Sequence, residues 1–95
     1  MKIIWTIHAE ERQKEWEKKF GVTKQEVEDS VRNPEQIVHG DMNVLVAQAR
    51  TRNGLLRVPF IKTGGNRKIL TIYWTSKVEK YWKEKKNEDK IHQGE

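Results

Sequence analysis

Cysteine is absent from the chain. That excludes a disulfide scaffold, thiolate metal sites and a cysteine nucleophile. It fits a reducing compartment, so a cytoplasmic location is expected. Proline is scarce, and each of the 2 residues marks a place. Asn33-Pro34 ends a helix, and Pro59 removes a ladder donor and so marks a bulge or local bend. No apolar run approaches the roughly 20 residues of a membrane span. The opening Met1-Lys2-Ile3-Ile4-Trp5 runs into charge by Glu10, so neither a signal peptide nor a membrane partner is expected. The 3 histidines lie far apart in sequence and no pair has ligand spacing, so no metal and no cofactor are expected. Gly64-Gly65 lacks the Lys-Ser/Thr and helix of a phosphate loop, and no Ser-His-Asp elbow is present.

What remains is small and highly charged. The 95 residues allow one domain, expected over 1–86, followed by a polar tail over 87–95 expected to be disordered. Apolar and charged residues each make up 35% of the chain, which predicts a thin core under a charged surface. Trp5, Trp16, Trp74 and Trp82 are the large side chains available to fill that core. The net charge is +5 and unevenly spread. Residues 1–49 carry 7 basic and 9 acidic groups, whereas residues 50–86 carry 11 basic and 2 acidic. Such a positive segment suits a nucleic acid or an acidic protein as partner; the plain alternative is a Lys-rich solubilising surface.

The pattern predicts an α+β fold. Met1–Thr6 reads as a strand and His8–Phe20 as a helix, with Thr6 as N-cap and Gly21 as the left-handed stop. Thr23-Lys24-Gln25-Glu26 is a capping box opening a second helix that carries Val27 and Val31 on one face. Strands follow over Gln36–His39, Asn43–Arg52, Leu55–Lys62 and Arg67–Thr75. Ser76-Lys77-Val78-Glu79 reads as another capping box, opening a C-terminal helix with Val78, Tyr81, Trp82 and Lys85. The expected architecture is two N-terminal helices packed on a curved, mainly antiparallel sheet of four to five strands, with a C-terminal helix.

Turn chemistry gives a register. Asn53-Gly54 as a two-residue hairpin loop places Arg50 opposite Arg57 and Ala47 opposite Phe60. A three-residue Gly64-Gly65-Asn66 loop places Phe60 opposite Leu70, Val58 opposite Ile72 and Leu56 opposite Trp74. A two-residue loop would pair Phe60 with Ile69 and turn Leu70, Ile72 and Trp74 to the wrong face. One face then holds Leu45, Ala47, Ala49, Leu56, Val58, Phe60, Leu70, Ile72 and Trp74. The other holds Gln48, Arg50, Arg52, Arg57, Pro59, Thr71, Tyr73 and Thr75.

The candidate site lies on that second face. Like charges directly opposite on a sheet cost stability. An anion between the Arg50 and Arg57 guanidiniums would relieve the cost and accept bidentate hydrogen bonds. Tyr73 could stack on a base or donate to a phosphate oxygen. The competing picture is a solvated face with splayed arginines capped by Glu side chains. His8 and Arg12, one turn apart on the first helix, offer a proton-transfer group and a phosphate clamp. His39, beside a Gly-Asp turn, is a weaker candidate, and His92 falls in the tail. The candidate catalytic set is Arg50, Arg57, Tyr73 and His8; the candidate nucleic-acid contacts are Arg12, Arg50, Arg52, Arg57, Lys62, Arg67 and Lys68.

Trp5-Thr6-Ile7-His8-Ala9-Glu10-Glu11-Arg12 resembles a His-Ala-x-x-Arg helix start. With Phe20-Gly21-Val22-Thr23-Lys24-Gln25-Glu26-Val27, the Asn33-Pro34-Glu35 break and the closing Lys68-Ile69-Leu70-Thr71-Ile72-Tyr73-Trp74, the chain is similar over residues 5–82 to a family of small bacterial domains grouped with RelE/ParE-like toxins. That resemblance implies two helices against an antiparallel sheet and an acidic antitoxin as partner. It also implies a metal-independent endoribonuclease acting on mRNA, often at the ribosome, through Lys, Arg and Tyr on the open sheet face. ParE-like members of that grouping act on a protein target instead. A basic binding module without chemistry is the alternative expectation.

Overall fold

The computed structural model describes residues 1–83. Element order is β1 (Ile3–Trp5), α1 (Ile7–Phe20), α2 (Lys24–Arg32), β2 (Gln36–His39), β3 (Leu45–Thr51), β4 (Gly54–Thr63), β5 (Asn66–Ile69), β6 (Tyr73–Thr75) and α3 (Val78–Tyr81). The predicted α+β class holds. Residues 84–86 of the expected domain and the expected disordered tail over 87–95 lie outside the described residues.

Both N-terminal helices are built by the signals their sequences carry. Thr6 caps α1 by accepting from the Ala9 amide at 3.1 Å, and its hydroxyl donates to the Ile69 carbonyl at 2.9 Å, tying the helix start to the end of β5. Gly21, at φ 72°, ends α1 with its amide on the Glu17 carbonyl. Thr23 caps α2 through the Glu26 amide, and Asn33 closes it. The helices contribute Ala9, Val27 and Val31 to the core and the link between them Val22, where they meet Ala47, Leu56, Val58, Phe60, Ile69 and Ile72 of the sheet side.

The sheet is larger than expected and not wholly antiparallel. It has six strands in the order β1-β5-β4-β3-β2, with β6 continuing along the β5 side of β4. β1 pairs parallel with β5. The N-terminal strand returns after two helices and one meander, and such a long connection permits a parallel pairing that a hairpin cannot.

The β3–β4 turn lies one residue earlier than the Asn-Gly signal suggests. Thr51 faces Gly54, so the central pair is Arg52-Asn53, both left-handed at φ 55° and 59°. A Cβ on Gly54 would run into the Trp74 ring and the Thr75 carbonyl, so the glycine is needed as a strand residue beneath Trp74. The result is a register two residues away from the expected one. Gln48, not Arg50, stands opposite Arg57, and Arg50 stands opposite Leu55. A two-residue change preserves which face each side chain occupies.

The expected strand Arg67–Thr75 is two strands. Thr63 faces Asn66 across a two-residue Gly64-Gly65 loop, which pairs Phe60 with Ile69. β6 nevertheless has the register of the three-residue alternative, with Leu56 opposite Trp74. One extra residue is therefore absorbed between them, opposite Pro59, whose carbonyl accepts from the Leu70 amide at 2.9 Å. The bend expected at Pro59 is located there. In consequence Ile69, rather than Leu70, joins the core.

The C-terminal helix is a single turn. Lys77 precedes it without a side-chain cap, so the Ser76 capping box does not form, and Trp82 is extended. Thr75 takes the local role instead, its hydroxyl accepting from the Lys77 amide at 3.1 Å. Lys85 is not among the described residues.

Candidate functional site: an arginine between two tyrosines

The second face of the sheet is not fully open. Residues 77–83 fold back across it and are held by two glutamine side chains. Gln48 on β3 has no exposed surface. Its amide nitrogen donates to the Gln36 side chain at 2.9 Å and to the Tyr81 carbonyl at 3.2 Å, while its oxygen accepts from Arg57 Nε at 2.7 Å. Gln36 at the start of β2 donates to the Lys83 carbonyl and accepts from the Lys83 amide, at 2.7 and 2.9 Å. A buried glutamine is tolerated only when its donors and acceptor are matched, and here they are.

This network fixes Arg57. Its guanidinium carbon lies 4.1 Å from the centroid of the Tyr81 ring, in cation–π geometry. Tyr73 stands directly across the β4–β6 ladder. Tyr73 and Tyr81 meet edge to face at 6.2 Å, and Tyr73 also meets Trp16 of α1 edge to face at 6.4 Å. Nε is the only Arg57 nitrogen with a protein acceptor, and no buried side-chain nitrogen in the described residues lacks a partner. Among the described residues neither Nη group has an acceptor, and both lie beside two phenols.

The electrostatics follow from that packing. Burial lowers the Arg57 pKa, an effect the Tyr81 and Tyr73 oxygens partly offset. An arginine so placed remains charged at neutral pH. The Tyr81 phenol titrates below its usual range; the neighbouring Tyr73 hydroxyl is the main cause, burial opposes it, and the cations Lys80 and Arg57 add to it. The arrangement can bind an anion at the Arg57 fork and move protons through phenols next to it.

Arg50 flanks this cluster. Its Nε donates to Glu35 at 3.2 Å, and its guanidinium lies 4.7 Å from the Trp82 ring centroid. The carboxylate cap expected of a plain solvated face is thus present on Arg50 and, among the described residues, not on Arg57. The other candidates are dispersed. His8 is exposed in the first turn of α1 and, among the described residues, makes no side-chain hydrogen bond or ion pair. Arg12 pairs with Glu15 at 3.1 Å. His39 is exposed at the end of β2. His92 lies outside the described residues.

Two of the arginines proposed as nucleic-acid contacts are engaged at helix ends. Arg52 donates to the Phe20 and Gly21 carbonyls at 2.7 and 3.0 Å and to the Glu26 carboxylate. It thereby caps the C-terminus of α1, where a cation is favoured by the helix dipole, and these bonds hold its left-handed backbone. Arg67 donates to the Val31 carbonyl at 2.6 Å near the end of α2. Lys62 is exposed and Lys68 half-buried on the β4–β5 hairpin.

Gln48 and Tyr81 are the components that sequence reasoning passed over. Gln48 was visible only as one polar residue on an alternating strand. Tyr81 and Trp82 read as helix core, although an aromatic pair between Lys80 and Lys83 is also a signature of cation–π packing. Three tryptophans do support the core: Trp5, Trp16 and Trp74 pack against it, and their indole nitrogens donate to Glu28, Ile72 O and Thr51 O. Trp82 lies instead over Arg50.

Among the described residues, no three His, Cys, Asp or Glu side chains gather in one place. No helix there is long and apolar enough to cross a membrane. Compared with family models, with curated proteins and with solved structures, the chain matches none.

Proposed function

We propose that this protein is a RelE/ParE-like toxin that cleaves mRNA on the Arg57 face. The observation that carries this reading is the Arg57 fork, fixed at Nε by Gln48, packed on Tyr81 and standing across the ladder from Tyr73. A phosphodiester seated on that fork would have its developing negative charge neutralised by the guanidinium. The 2′-oxygen would attack phosphorus and the bond to the 5′-oxygen would break. Tyr81, whose phenol titrates below its usual range, would take the 2′-hydroxyl proton as phenolate, and Tyr73 would give a proton to the departing 5′-oxygen. The products would be a 2′,3′-cyclic phosphate and a 5′-hydroxyl. Arg50 and the Trp82 ring offer a flanking phosphate contact and a stacking surface. His8 and Arg12 have no place in this scheme. The basic stretch over residues 50–86 supports a polyanionic substrate, and an acidic antitoxin would find the same surface.

The test is end-group analysis of a mixed-sequence RNA incubated with the protein and a chelator, alone and with translating ribosomes. Cyclic phosphate ends are expected, at a rate reduced about 10²-fold or more in Tyr81→Phe. RNA retained intact under both conditions would refute cleavage.

A second reading, a non-catalytic basic module, is favoured by one observation: no imidazole or carboxylate bonds to the Arg57 cluster among the described residues. It would inhibit a protein target as ParE-like members do, or hold RNA or an acidic protein. It predicts salt-sensitive binding with no product.

A further inference from the structure

We infer that the β4–β5 hairpin carries a second anion site that binds a phosphate group, separate from the Arg57 cluster and independent of whether that cluster cleaves RNA. Lys62 and Arg67 stand directly opposite each other on neighbouring strands. Like charges in that position repel, and the ion pairs among the described residues all lie elsewhere. A cleft of about 310 Å³ opens beside them, lined by Met1, Lys62, Gly65, Asn66 and Arg67. A second, of about 380 Å³, adjoins it through Lys62 and is lined by His39, Met42, Asn43 and Leu45. Among the described residues, no acidic side chain lines either cleft.

Two of the donors are already oriented. Arg67 is held by the Val31 carbonyl through Nη1 and lies 5.1 Å from the Phe60 ring centroid. Among the described residues its other nitrogens have no acceptor, and none is buried without one. The Asn66 carboxamide oxygen accepts from the Lys2 amide at 3.0 Å, and its NH₂ group has no acceptor among the described residues. Gly64 and Gly65 present no side chain, and the space over both is open. A phosphate placed between Lys62 and Arg67 would relieve their repulsion and accept from Lys62 and from two donors already held, Arg67 and Asn66.

The test is an NMR titration of the full chain with inorganic phosphate at constant ionic strength. Saturable shifts are expected at the Gly65, Asn66 and Arg67 amides. Lys62→Gln should weaken that binding about tenfold, as loss of one charge-assisted hydrogen bond does, whereas Lys14→Gln on α1 should leave it unchanged. Lys62 is exposed, so the substitution does not threaten the fold; Arg67→Gln would also remove a helix contact. Absence of saturable shifts, or an unchanged affinity in Lys62→Gln, would overturn the site. A second arm uses a short single-stranded RNA, with and without a 5′-phosphate, on the Arg57→Gln protein, so that failure of the cleavage reading stays distinguishable. Shifts at Gly65 and Asn66 with both oligonucleotides assign the site to backbone phosphodiesters. Shifts with the phosphorylated one alone assign it to a chain end, and shifts with inorganic phosphate alone assign it to the free ion.

Discussion

Gln48 decides the character of the site. It orients Arg57 from below and holds the Tyr81 backbone above, so one buried amide places both partners of the cation–π pair. Gln48→Leu keeps the volume but leaves Arg57 Nε, the Tyr81 carbonyl and the Gln36 side chain without their partner. Loss of about 1–3 kcal/mol of stability is expected in urea unfolding, together with weaker RNA binding in a titration. Unchanged binding would mean that Arg57 orientation does not matter. The sequence showed most of the side chains that share this face, because alternation along a strand survives a two-residue register change; Arg52 left it for the turn and the helix ends. It did not show which residue faces Arg57. The expected Arg50–Arg57 repulsion is absent, and the like-charge pair that does occur is Lys62–Arg67.

At the level of elements, helix boundaries were legible and turn placement was not. Thr6, Gly21 and Thr23 each act through bonds within their own turn, so their meaning is local. Gly54 acts through a distant residue, since Trp74 lies over it from β6. The same contact explains why an Asn-Gly pair does not sit at the centre of its hairpin. Gly54→Ala is expected to destabilise the fold by about 1–3 kcal/mol through overpacking, read as a lower denaturation midpoint at unchanged slope. A neutral result would show that Trp74 can move aside. The broken β5–β6 strand has a similar origin: the glycine loop sets one register, the core-facing Trp74 demands another, and the residues opposite Pro59 absorb the difference. The single-turn α3 follows from Gln36 and Gln48 binding backbone groups of Tyr81 and Lys83, which a sequence pattern cannot reveal.

Over the whole molecule, the basic excess of the C-terminal half divides into structural and free charge. Arg52 and Arg67 secure the ends of α1 and α2, whereas Lys62, Lys77, Lys80 and Lys83 are exposed. The Arg52–Glu26 pair joins the β3–β4 hairpin to both helices, its side chains 30% and 25% exposed. Hydrogen bonding from Arg52 is the main cause that holds the Glu26 carboxyl below its ordinary value of 4.5; burial opposes it, and the charge of Arg52 with bonds from Thr51 and Thr23 reinforces it. A lowered native pKa means that the unfolded chain takes up the proton first. Glu26 therefore stabilises fully above its ordinary range and progressively less as pH falls through the native value. The Tm of the parent should drop more steeply than that of Glu26→Gln as pH falls below about 4.5; parallel curves would show that the pair contributes nothing. The measurement that bears most directly on the proposed activity is the rate of RNA cleavage by the parent protein and by Arg57→Gln, side by side and in the presence of ribosomes. Cleavage slowed by about 10²–10³-fold in Arg57→Gln is the predicted result. An Arg57→Gln protein that cleaves as fast as its parent would contradict the assignment of the site.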